Sequence, residues 1–113
     1  MSLDVELVKK CTCGEAIAEH YYEANITHNL AIMAGKAGIY KAIWRPHEID
    51  CKFAKDILPI VEKGYEDMLM RPDYYNQFNA ENGWGLYEDF MPWISDYIEA
   101  MRENPDSEII TCV

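Results

Sequence analysis

Residues 2–24 read SLDVELVKKCTCGEAIAEHYYEA. In the opening seven, Leu3, Val5 and Leu7 alternate with Asp4 and Glu6, the period-two pattern of a strand with one apolar and one wet face. Residues 2–8 are therefore expected to form a strand. A second run, residues 16–24, carries the β-favouring Ile17, Tyr21 and Tyr22. Between them KKCTCGE contains Gly14, which can take the positive φ of a tight turn. The whole stretch reads as a β-hairpin whose dry face needs a cover.

Beyond the hairpin the period changes from two to three and four. Ile26, Leu30, Met33, Ala34 and Ala37 predict an amphipathic helix over residues 27–37, capped by Asn25 or Thr27 and ended by Gly38. A short turn, IYKAIW, leads to Pro46. From Pro46 to Pro72 the stripe Ile49, Phe53, Ile57, Ile60, Val61, Gly64 and Met68 keeps the helical period, so a long helix is expected with a kink near Lys55 to Pro59. RPDYYNQFNAENGWG suggests a helical turn and an irregular loop. The last helix, Leu86 to Glu103, has Pro92 early in its pattern, so its regular part is expected to begin near Met91. NPDSE breaks it, and EIITCV is β-branched enough to be a closing strand.

The expected order is ββαααβ, an α+β fold in which a small antiparallel sheet, the hairpin plus the C-terminal strand, packs against about three helices. The length of 113 residues and an apolar half fit a single domain, residues 1–113. No run of about 18 apolar residues is present, so no membrane span is expected, and the start does not resemble a signal peptide. A cytoplasmic location with reduced thiols at Cys11, Cys13, Cys51 and Cys112 follows.

The formal charge is −10 and is unevenly spread: residues 1–56 hold seven Lys/Arg against eight Asp/Glu, residues 57–113 three against twelve. That field repels nucleic acid and favours a basic protein surface as partner. A solvated helix face that keeps the chain soluble is the plainer reading.

Four places carry binding-type chemistry. Asn25, His28 and Asn29 surround the start of the first predicted helix, where amides and a neutral imidazole could contact a polar ligand; equally, they could cap the helix while His28 bonds to the neighbouring strand. Trp44 and Arg45 offer a ring and a planar charged fork for a nucleotide-like ligand, unless Arg45 pairs with Glu48. In NGWG, Asn82 and two glycines flank Trp84, either a core plug beneath a loop or an exposed anchor for a partner. Cys11 and Cys13 of CTCG could bind zinc with help from His20, His47, Cys51 or Cys112, but their one-residue spacing is shorter than the usual two. Incidental cysteines in a reduced turn are the alternative.

Catalytic signatures are weak. There is no nucleophile elbow, phosphate-binding glycine loop or HExxH. A Cys–His pair could be assembled from Cys51 with His28 or His47, as chance alone allows.

At SLDV, ANITHNL, AGIY, WRP, KDILPIVEKG, NGWG and ENPD the chain resembles a family of short proteins of bacteriophage and bacterial genomes, over nearly its whole length. The resemblance implies a phage accessory role, such as counter-defence or host takeover, in the cytoplasm of a bacterial host. It implies no catalytic residues. The resulting expectation is a non-enzymatic binding protein for a small polar or nucleotide-like ligand or a host protein, without a cofactor unless zinc. Its cleft would lie at His28 and Asn29, walled by Trp44, Arg45 and the Trp84 loop. The alternatives are a small hydrolase or transferase using a His28/Arg45 cleft, or a zinc-stabilised interaction module.

Overall fold

The computed structural model describes residues 2–10 and 16–113. Three strands, β1 (Ser2–Lys10), β2 (Ile17–Thr27) and β3 (Glu108–Cys112), form an antiparallel sheet in the order β2-β1-β3. The fold is α+β, with α1 (Ala31–Lys36), α2 (Tyr40–Trp44), α3 (Ala54–Met70), α4 (Pro72–Asn76) and α5 (Tyr87–Glu103) between β2 and β3. The expected hairpin and closing strand are present. No helix among the described residues is long and apolar enough to cross a membrane.

The alternation in β1 works as its sequence suggests: Leu3, Val5 and Leu7 are fully buried. Opposite them, Val5 meets Ala24 and Thr111, and Leu7 meets Tyr22 and Ile109. Against this face α5 lays Phe90, Ile94, Tyr97 and Met101, all buried. Tyr97 stacks on Tyr22 with ring centroids 5.8 Å apart, and Trp93 meets Tyr97 edge-on at 5.4 Å. The other face of the sheet carries Asp4, Glu6 and Glu23, with Glu6 and Glu23 directly opposed. Like charges so placed are tolerated only where water screens them.

β2 is an edge strand, and an edge exposes unpaired backbone groups. Part of it is covered: the Trp93 indole N–H donates to the Asn25 carbonyl at 3.0 Å. Register shifts between Leu7 and Val8 and between Lys9 and Lys10 mark bulges where the hairpin leaves the core. The molecule is correspondingly elongated, 48 × 26 × 23 Å.

Several boundaries differ from expectation. β2 runs on to Thr27 because Asn25, Ile26 and Thr27 still pair with Asp4, Leu3 and Ser2. The first predicted helix is a 3-10 turn at His28–Leu30 followed by α1, with Gly38 at φ 77° after its end. The long helix starts at Ala54, not at Pro46: residues 46–49 form a separate 3-10 turn, and Asp50 follows at φ 57°, which breaks the helical path. Phe53 instead bridges to Glu108, and Asp56 starts α3 by accepting the Phe53 and Lys52 amides at 2.9 and 3.2 Å.

α5 likewise starts at Tyr87, not near Met91, and carries Pro92 within it, as α3 carries Pro59. A proline in a helix orphans the carbonyl four residues earlier. Here those carbonyls belong to Lys55 and Glu88, and these residues, like the two prolines, are exposed, on the side of each helix where water can replace the lost bond. α3 and α5 pack antiparallel, tied by Arg102 to Glu62 at one end and by Tyr87 Oη donating to the Met68 carbonyl at 2.8 Å nearer the other.

Candidate functional site

At the junction of β2 and the first helical turn, Thr27 Oγ1 accepts the Asn29 amide at 3.3 Å and so caps the 3-10 turn. His28 and Asn29 are the first two residues of that turn, His28 half-buried and Asn29 exposed. Asn29 Nδ2 donates to the Trp84 carbonyl at 2.6 Å, drawing in the loop after α4. The loop is also tied internally, with Trp84 N–H donating to Asn82 Oδ1 at 2.9 Å and Ala80 N–H to the Gly85 carbonyl at 3.0 Å. Gly85, at φ 129°, approaches Asn29 so closely that a Cβ there would lie 2.9 Å from Asn29 Cβ. Glycine is required at that position on both counts.

The result is a concavity of about 790 Å³ lined by Ser2, Asn25, Thr27, His28, Asn29, Asn82 and Trp84. Five of the seven ligand-binding candidates of the sequence, Asn25, His28, Asn29, Asn82 and Trp84, share it. Trp84 is no core plug: the residue is 73% exposed although its backbone is held on both sides. Asn25 Nδ2 is shared among Ser2 Oγ, the Leu3 carbonyl and Asp4 Oδ1, at 2.9, 3.2 and 2.7 Å. Among the described residues, none that lines it carries a carboxylate, ammonium or guanidinium group.

Trp44 and Arg45 do not wall this concavity as the sequence led us to expect. Trp44 is 2% exposed and lies behind His28, stacked on Tyr40 at 5.5 Å and edge-on to Phe90 at 6.3 Å. Its indole N–H donates to His28 Nδ1 at 3.0 Å. An indole N–H can only donate, so Nδ1 must accept, and the imidazole proton sits on Nε2. His28 is thus bonded to a core tryptophan and not to the neighbouring strand. Arg45 faces Tyr40 and Glu48, 3.6 Å from the Glu48 carboxylate, because the 3-10 turn at Pro46 brings that glutamate back over it.

Other residues of the region carry weaker sequence signals. Ile32, 67% exposed, lines an adjoining hollow of about 480 Å³ with His28, Asn29 and Phe78. Its clue is phase: Ile32 is an apolar residue off the Leu30, Met33, Ala34 stripe. Ser2 and Thr27 have no such clue, since both read as ordinary strand and cap residues.

Cys11, Cys13 and the CTCG turn lie outside the described residues. Among the described residues no three His, Cys, Asp or Glu side chains are grouped to hold a metal ion. His20 lies 3.8 Å from Glu6, and the Cys51 thiol faces the Ile49 carbonyl at 3.5 Å. Burial first, then Asp56 and Asp50, pushes that thiol up from its ordinary range, away from the thiolate that a metal takes.

No family model matches the chain, and no curated protein or solved structure shows significant similarity to it.

Proposed function

We propose that this chain is a non-enzymatic binding protein that sequesters a small, uncharged polar ligand with a flat face, such as a nucleobase or nucleoside, on Trp84. One observation carries the reading: the Trp84 backbone is fixed by Asn29 and Asn82 while the residue stays 73% exposed beside amide and imidazole groups. An aromatic platform takes the flat face, and Asn29, Asn82 and the Nε2–H of His28 offer hydrogen bonds at its edge. The described lining residues are uncharged and Arg45 is not among them, which favours a ligand that needs no phosphate contact. The motif resemblance supports a phage accessory setting in a bacterial cytoplasm, where such a protein would act in counter-defence or host takeover.

A protein partner is the second reading, favoured by exposed Ile32 in the adjoining hollow. The test is native mass spectrometry of chain purified from its host cells, followed by denaturing release. The expected result is an intact small organic mass, lost from Trp84→Ala, because removing a base-stacking ring weakens binding by about tenfold or more. A bare chain overturns the sequestering reading, and release of a chemically altered compound points to the enzyme alternative.

A further inference from the structure

Away from Trp84, α3 and α5 leave a groove between them of about 380 Å³. Its apolar surface comes from α3, the exposed Leu69 and the half-buried Tyr65; Ile98 of α5 also lines it but is buried, and Ser95 lies beside it. Leu69 is 53% exposed, and Met70 beside it is 82% exposed. Both lie outside the buried face of α3, which is formed by Ala54, Ile57, Val61, Gly64 and Met68.

The rim has the opposite character. Glu62 and Glu66 stand on one side and Glu99 on the other. Among the described residues Arg102 is the one basic side chain lining the groove, and it is engaged by Glu62. The excess of carboxylates matches the wider imbalance of three Lys/Arg against twelve Asp/Glu in residues 57–113. Each wall presents residues at spacings of three, four and seven, so the groove spans about two helical turns, roughly 10 Å. The Leu69 and Tyr65 strip set between acidic banks fits a helix with apolar side chains at matching intervals and Lys or Arg beside them.

We propose that the α3–α5 groove is a docking surface for a basic amphipathic helix of a partner protein. The apolar stripe would cover Leu69 and Tyr65, and its cations would meet Glu66 and Glu99. The groove is separate from the Trp84 concavity and shares no lining residue with it.

The test uses the full chain and a fluorescent peptide with leucines at i, i+3, i+4 and i+7 and lysines elsewhere, compared by anisotropy with a scrambled peptide of equal composition. The striped peptide should bind about tenfold tighter or more, the scale of losing a central apolar anchor. Leu69→Asp and Glu99→Lys should each weaken it by a similar factor, and raising the salt should weaken it further. Both substitutions are at exposed positions, and circular dichroism checks that each variant is folded. Neutralising Asp4, Glu6 and Glu23 on the open sheet face, or Trp84→Ala, should change affinity by less than about twofold. Equal binding of the scrambled peptide, or indifference to Leu69→Asp, would overturn the proposal. So would sedimentation showing a dimer of this chain that Leu69→Asp dissolves, since a second copy would then occupy the groove.

Discussion

Gly64 lies within α3, where glycine is normally the poorer choice: alanine in a helix interior is favoured by about 1 kcal/mol. Here the neighbours reverse that preference. A Cβ at Gly64 would sit 2.2 Å from Ile39 Cγ2 and 2.9 Å from the Ala37 carbonyl oxygen. Carbon atoms rest about 3.5–4.0 Å apart, so the Ile39 methyl would have to retreat by about 1.5 Å. Ile39 is fully buried, and the Ala37 contact is backbone, which yields less readily than a side chain. Overpacking of this kind costs about 1–3 kcal/mol, and two simultaneous contacts argue for the upper end. After the propensity gain, Gly64→Ala should destabilise by about 2 kcal/mol, lowering the melting temperature by roughly 10 °C in a chain of this size.

Urea unfolding followed by circular dichroism is the assay, with a lower midpoint and an unchanged slope as the expected result. Ile39→Ala alone should cost about 2–5 kcal/mol as a buried truncation. Combined with Gly64→Ala it should cost less than the two added together, because the new methyl enters the space that Cγ2 vacates. A neutral or stabilising Gly64→Ala, or strict additivity in the pair, would refute the argument.

Three further outcomes follow from contacts elsewhere. His28→Phe should cost about 1–3 kcal/mol in urea unfolding by leaving the Trp44 indole N–H buried without an acceptor, and adding Trp44→Phe should recover part of that loss. Arg71, and then Tyr75, hold the Asp67 carboxyl below its ordinary range. The folded chain therefore releases that proton at lower pH than the unfolded chain, so the stabilisation is complete above about pH 4 and fades as the pH falls through the lower folded value. Asp67→Asn should flatten the acid side of the stability profile, and an unaltered profile would count against the contact. Burial, and then its bond to Asp67, pushes the Tyr75 phenol up to about 12. Its neutral form thus stabilises the fold below the ordinary tyrosine value of about 10, and that contribution is lost as the pH rises towards 12. An ultraviolet titration of Tyr75→Phe should lack one late-ionising phenol.

The parts of the fold that could be read from sequence are those where one residue pattern admits one structure. β1 is such a case, because Leu3, Val5 and Leu7 cannot be buried together in any other regular form. The start of α3 is the contrary case. Ile49 and Phe53 are in phase with the later stripe, yet Asp50 takes a left-handed backbone and Phe53 is drawn into a bridge with Glu108, a residue far along the chain. Pro92 was misleading for a related reason: its cost depends on whether the orphaned Glu88 carbonyl faces water, which periodicity does not report.

For the candidate site, residue type was a fair guide where the side chain works locally, as with Asn29, Asn82 and Trp84. It failed at Trp44 and Arg45, whose adjacency in sequence suggested joint action. One enters the core, and the other turns to Tyr40 and Glu48.

The central position of β1 also sets an order of events during folding. On one side Val5 finds Ala24 within the same hairpin; on the other it finds Thr111, across all five helices. Closing the second pairing costs about 1.5 kcal/mol more in chain entropy than closing the first, before any intervening structure shortens the search. The hairpin can therefore serve as an early template, whereas β3 pairs once α3 and α5 have docked and carried residues 108–112 back to it. The rate of sheet completion is then governed by helix docking, and slowing that docking would prolong the life of an intermediate with one edge of β1 open.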